Sequence, residues 1–248
     1  MRDAAPMLSL RAISKNFGGV RALEDVDLDV YPGEVVALVG DNAAGKSTLA
    51  RVVAGVYRPD GGTIRIEGQV VTIASARAAI GLRVATVFQE YGLVETLDVT
   101  ANIFLGRELV DGGLLDTHRM DELAKTYLGR LHTRIPDLRT PLRNLSAGQR
   151  QCVAIARTLV NQPRLVVLDE PMAALSVGQT AEVLSYIEEL RSRGLGVVVI
   201  GHNLADLRAV ADRVEVLRHG RNNGSFLAAA STHEEILAAV TGATRLIR

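Results

Sequence analysis

"VVALVGDNAAGKSTLA", residues 35–50, is the stretch on which the fold turns. An unbroken apolar run ends at Gly40. A second glycine, Gly45, is followed directly by Lys46, Ser47 and Thr48. A short continuous apolar run bounded by glycine reads as a strand covered on both faces, and "STLARVVAG" behind it has helical spacing. Gly40 through Ser47 fit Gly-x-x-x-x-Gly-Lys-Ser/Thr, and between a strand and a helix that pattern makes a phosphate cradle. The backbone N–H groups of Asp41, Asn42, Ala43, Ala44 and Gly45, with the helix N-terminus at Lys46–Thr48, surround phosphate oxygens. Lys46 reaches the β- and γ-phosphates, and the Ser47 hydroxyl binds Mg²⁺. Ala43 sits between the two glycines. Gly40 and Gly45 hold the positions the spacing requires, so residue 43 is expected at negative φ with its methyl turned away from phosphate.

A second stretch belongs with the first. "RLVVLDE", residues 164–170, is an apolar strand ending in two acids. It brings Asp169 near the Mg²⁺, and Glu170 one residue further to where it polarises an attacking water.

The rest of the chain bounds the reading. It has 248 residues, 48% of them hydrophobic, enough for a full core. Net charge is zero and the pI is near 7.0, which argues against a nucleic-acid partner. Cys152 is the only cysteine, so no intrachain disulfide forms, as in a reducing compartment; within "QRQCVAIARTLV" it reads as a buried small hydrophobe. No run of about 18 apolar residues occurs, and the first residues carry no secretory core. The expected setting is cytoplasmic, with docking on a membrane protein left open.

Along the chain, "VDLDV" puts Val26, Leu28 and Val30 on one face of an antiparallel strand. "DGG" at 60–62 reads as a turn, with strands in "TIRIEG" and "LRVATVFQ". Residues 94–140 are rich in Leu, Arg and Glu with helical spacing, and read as a helical insertion between core segments 7–93 and 141–242; residues 1–6 read as a flexible N-terminus. Strand and helix then alternate. "GQTAEVLSYIEELRSRG" carries a stripe of Val183, Leu184, Ile187 and Leu190 and stops at Gly194, and "THEEILAAVTG" opens with Thr232 and Glu235 in capping-box spacing. No internal repeat stands out. The expected fold is α/β, a P-loop NTPase with a mostly parallel sheet flanked by helices, an antiparallel N-terminal β part and the helical insertion.

At this point the chain resembles the nucleotide-binding subunits of ABC transporters. "LSAGQRQ" at 145–151, just before "LVVLDEP", resembles their signature motif; Gln89 in "FQE" matches the Q-loop, His202 in "IGHN" the switch histidine, and Phe17 in "KNFGGVRAL" the aromatic that stacks on adenine. The resemblance runs from about residue 7 to residue 242. It implies ATP and Mg²⁺ as cofactors, Lys46, Gln89, Glu170 and His202 as catalytic residues, and Ser47, Gln89 and Asp169 around the metal. It also implies a head-to-tail homodimer in which Ser146, Ala147, Gly148 and Gln149 of one copy cover the γ-phosphate held by the other.

"GDN", "NIFLGRE", "MAALSVGQTAEVL" and "RGLGVVVIGHN" are similar to the ATPases of ribose-, xylose- and fructose-type importers. The implied partners are two integral-membrane permease subunits, with Tyr91–Leu97 receiving a permease helix, and an extracytoplasmic sugar-binding protein. The ATPase of a branched-chain amino acid importer, a soluble non-transport ABC ATPase and a low-turnover nucleotide-sensing module stay open as alternatives. Ala43, Ala147, Met172, Ser176 and Gly201 depart from the usual family residues.

Overall fold

The computed structural model describes residues 5–88, 92–131, 135–173 and 175–243. Chain order gives β1 (Leu8–Phe17), β2 (Val20–Val30), β3 (Val35–Val39), α1 (Lys46–Val53), β4 (Gly61–Ile66), β5 (Gln69–Val71), α2 (Ala76–Gly81) and β6 (Val84–Val87). Next come α3 (Val99–Phe104), β7 (Val110–Asp111), β8 (Leu114–Leu115), α4 (Thr117–Arg130) and α5 (Ala147–Leu159). β9 (Leu165–Asp169), α6 (Val177–Ser192), β10 (Gly196–Ile200), α7 (Leu204–Val210), β11 (Arg213–Arg218), β12 (Arg221–Leu227) and α8 (His233–Thr241) follow.

The main sheet has the order β12-β11-β3-β10-β9-β6. Its pairs are parallel except the edge pair β11–β12. All residues of β3, β9 and β10 are buried, because helices or the second sheet cover both faces. Alternation divides the core. Val35, Ala37 and Val39 join the apolar cluster formed with α5 and α6, whereas Val36 and Leu38 join the cluster formed with β1, β2 and α1. The antiparallel sheet β2-β1-β4-β5 forms that second layer, and Val26, Leu28 and Val30 are buried on its inner face, as the alternation requires.

Three local readings change. Only Asp60 of "DGG" precedes the strand; Gly61 and Gly62 already belong to β4. Gly62 has φ +95°, and a Cβ there would meet the Ala12 carbonyl oxygen at 2.5 Å. It is a glycine because β1 bulges against it, not because the chain turns. The stretch 94–140 contains α3 and α4 but also the small β7–β8 hairpin. In α6, Val183, Ile187 and Leu190 are buried as expected, Leu184 is half-buried, and Tyr186 is buried as well, its hydroxyl meeting Cys152 of α5 at 3.0 Å.

The parallel ladder positions the site. Asp169 pairs with Ile200, and β10 pairs with β3, so Gly40, Glu170 and His202 all follow strand ends along one edge of the sheet. Among the described residues no helix is long and apolar enough to cross a membrane.

Candidate nucleotide site

The loop from Gly40 to Gly45 links β3 to α1. Gly40 has φ +150° and Gly45 φ +104°. A Cβ at 40 would lie 2.1 Å from the Leu217 carbonyl oxygen. One at 45 would lie 2.7 Å from that of Ala22 and 2.8 Å from Leu23 Cδ2. Both glycines are therefore demanded by the seat of the loop on β11 and β2, independently of any phosphate. The expectation for residue 43 is overturned: Ala43 has φ +63°, the left-handed region. A left-handed residue in such a loop is how successive N–H groups come to converge, and here an alanine carries the strain.

Lys46 folds over the loop and donates to the carbonyls of Gly40 (2.7 Å) and Asp41 (3.0 Å). Burial lowers the pKa of its ammonium, against the attraction of Glu170, Asp169 and Asp41. The Ser47 hydroxyl donates to Asp169 Oδ1 at 3.2 Å. Asp169 is buried, and desolvation raises its carboxyl pKa, opposed by the Ser47 hydrogen bond and by Arg51 and Lys46. Two strands meet next to it. Glu170 has φ +54°, donates its N–H to Ile200 O at 3.0 Å, and sets Oε2 2.9 Å from Nδ1 of the exposed His202. A cleft of about 400 Å³ opens beside this pair, lined by Met172, Leu184, Ile200 and Gly201 among others.

Phe17 is 42% exposed, so it is not a core residue. Its ring meets Tyr57 edge-on at 5.0 Å, and Lys15 Nζ stands 5.5 Å from its centroid. Tyr57 was not legible as part of this surface; nothing in "GVYRPD" announces a contact with a residue forty positions earlier in the chain. Ser146 caps α5 in a reciprocal box with Gln149, donating N–H to Gln149 Oε1 at 3.0 Å and accepting from Gln149 N at 3.2 Å. Ala147 is half-buried and Gly148 buried. The contacts shown for Ser146 and Gly148 lie within α5 and against α6, not at the Gly40–Thr48 loop. Gln89 and Tyr91 fall outside the described residues.

A strand, a glycine-bounded loop and a helix that carry lysine, hydroxyl and paired acids at the carboxyl edge of a parallel sheet define a P-loop nucleotide-binding protein. The sequence profile of the ABC transporter family matches residues 23–173, and the chain belongs to that family. It is 42% identical over 215 residues to the xylose/arabinose import ATP-binding protein of Sulfolobus acidocaldarius, covering 87% of this chain and 86% of that one. It is 42% identical over 229 residues to a ribose import ATP-binding protein of Rubrobacter xylanophilus, covering 92% of this chain and 46% of that one, so it spans about half of that relative's length. A crystal structure of a nucleotide-free ATP-binding cassette from an ABC transporter has the same fold, with a TM-score of 0.80, 24% identity and 96% coverage of each chain.

Proposed function

We propose that this chain is the ATP-binding, ATP-hydrolysing subunit of a membrane importer for a monosaccharide. One observation carries the chemistry: Lys46, Ser47, Asp169, Glu170 and His202 form a connected row at one sheet edge. The sugar assignment rests on the names of the relatives.

The donor set suits Mg²⁺. Ser47 and Asp169 offer two hard oxygens, and among the described residues no cluster of three or more His, Cys, Asp or Glu offers a full metal cage. Mg²⁺ is usually held by one or two protein oxygens, with phosphates and water completing its shell. Bound there, it would neutralise charge on the phosphates; Gln89 is the further ligand named by resemblance. Lys46 would exchange its two carbonyl contacts for β- and γ-phosphate oxygens. Phe17 would stack on adenine, and Asp41 to Thr48 would supply the cradle. Glu170 would accept the proton of the attacking water, and His202, beside it, would contact the γ-phosphate.

Ser146, Ala147, Gly148 and Gln149 belong on this reading to the nucleotide of a second copy, which makes an ATP-bound homodimer with two composite sites. The remaining partners are two permease subunits and an extracytoplasmic sugar-binding protein, with the chain on the inner membrane face. Residues 94–140, with α3, α4 and the β7–β8 hairpin, make a mainly helical subdomain between core parts 7–93 and 141–242.

The test is expression of the chain with a tag in its own cells. Recovery with integral-membrane proteins, and loss of sugar uptake in Lys46→Ala cells, are expected. ATP hydrolysis by a chain recovered without any membrane protein would favour the soluble ATPase instead.

A further inference from the structure

α5 and α6 begin alike. Leu145–Gln149 and Leu175–Gln179 both read Leu-Ser-x-Gly-Gln, and each opens its helix with a capping box. In α6 the Gln179 side chain is fixed at its far end. Its Oε1 accepts from Ser176 N at 3.0 Å and from Ser176 Oγ at 3.1 Å. Its stem lies on Gly148 of α5. A Cβ built at residue 148 would stand 2.9 Å from Gln179 Cγ and 3.3 Å from its Cβ and Cδ. Gly148 is helical and lies outside the positive-φ glycines, so its backbone suits any residue; the close approach is what asks for glycine. The same helix pair stays in contact further along, where Cys152 meets Tyr186.

We infer that Gln179 is a positioning residue for Ser146 and Gly148: pinned by the α6 capping box, it is the surface on which the α5 N-terminus is set, and it is why residue 148 is glycine. Two short-range backbone bonds lie between Glu170 and this box, Ala173 N to Glu170 O at 3.1 Å and Leu175 N to Met172 O at 3.3 Å. Glu170, which serves the chain's own nucleotide, is thereby set against Ser146 and Gly148, which serve the partner's. The inference rests on the composite-site reading proposed above.

The test compares the full-length chain with Gly148→Ala, Gln179→Ala, the double variant, Gln179→Glu and Ser176→Ala, by melting temperature and by steady-state phosphate release from MgATP. Misplacing a donor by a fraction of an ångström costs kcat, so Gln179→Ala is expected to lose about tenfold in kcat with KM held within about twofold. Gln179→Glu keeps the stem and the acceptor oxygen and retains kcat. Ser176→Ala loses the hydroxyl cap but leaves the backbone bond that pins Gln179, so its melting temperature falls while its kcat holds. Gly148→Ala lowers both melting temperature and kcat, and adding Gln179→Ala brings both back to the level of Gln179→Ala alone. Recovery of melting temperature without recovery of kcat would mean that the nucleotide, not Gln179, asks for glycine, and would overturn the inference. Equal kcat losses in Gln179→Ala and Ser176→Ala would do the same. A wild-type chain that releases no phosphate would count against the proposed function instead, while the melting-temperature cycle would still decide the contact.

Discussion

Replacing Ala43 by glycine isolates one backbone angle. Ala43 has φ +63°, where an L-residue's Cβ crowds its own backbone at a cost of about 1–2 kcal/mol. Glycine removes that strain but adds freedom to the unfolded chain, worth about 0.4–1 kcal/mol in the opposite direction. At the midpoints of these ranges the difference favours glycine by about 0.8 kcal/mol. In a chain of this size that raises the melting temperature by about 2–3 °C, which calorimetry or a thermal melt reads directly. The strain lies in the loop as it is folded here, so its relief enters stability rather than affinity. ATP affinity, by titration calorimetry, is expected to stay within about threefold, well under the 1.4 kcal/mol of a tenfold change. A lower melting temperature in Ala43→Gly would show that residue 43 is not left-handed. A gain of tenfold or more in affinity would show that the nucleotide forces a different angle on residue 43, and would support a weakened, sensing site.

Other expectations follow from the same geometry. Gly45→Ala puts a methyl 2.7 Å from the Ala22 carbonyl oxygen, so it should cost at least the 1–3 kcal/mol roughly typical of overpacking and lower the denaturation midpoint. At Gly201, by contrast, the nearest atoms to an added Cβ are Leu207 side-chain carbons at 3.4–3.6 Å, ordinary van der Waals contact, so Gly201→Ser should melt within a few degrees of wild type. Asp169 has a carboxyl pKa raised by burial, so the folded chain binds its proton more tightly than the unfolded one; stability from this group is highest in acid and is lost as pH rises through the folded pKa. Asp169→Asn should therefore melt higher than wild type at pH 7, with the gap closing as pH falls into the carboxylate range. Mixing Lys46→Ala with Ser146→Arg subunits should restore some phosphate release through one intact composite site. No restoration, in a preparation shown to contain mixed dimers, would count against sharing of sites between chains.

The strands and helices that carry the site were legible because their patterns are local. β3, β9 and β10 announce themselves as apolar runs, and the capping box at Thr232 is readable from Glu235 three residues on; the boxes at Ser146 and Ser176 have the same spacing but came from the structure. Asp169 and Glu170 were legible at the end of an apolar strand, and His202 through the resemblance; the pairing of β9 with β10 is what sets them in one row. What escaped depends on contacts between distant segments. The angle at Ala43 is set by a loop whose glycines are packed against Leu217 and Ala22, residues no spacing rule brings near. The bulge of β1 that makes Gly62 a glycine, the ring of Tyr57 beside Phe17, and Gln179 on Gly148 are all of that kind. The β7–β8 hairpin escaped because "VDGGLL" is too short for alternation to show.

The central claim is that Glu170, held 2.9 Å from His202 at the carboxyl edge of the sheet, activates water on a bound MgATP. Glu170→Gln keeps size and hydrogen bonding but lacks the basicity. The direct measurement is steady-state phosphate release from MgATP by the wild-type and Glu170→Gln chains, together with ATP binding by each. The account predicts that the variant still binds MgATP and that its turnover falls by about 10² or more, the scale for a positioned base. Near-normal turnover in Glu170→Gln would contradict it.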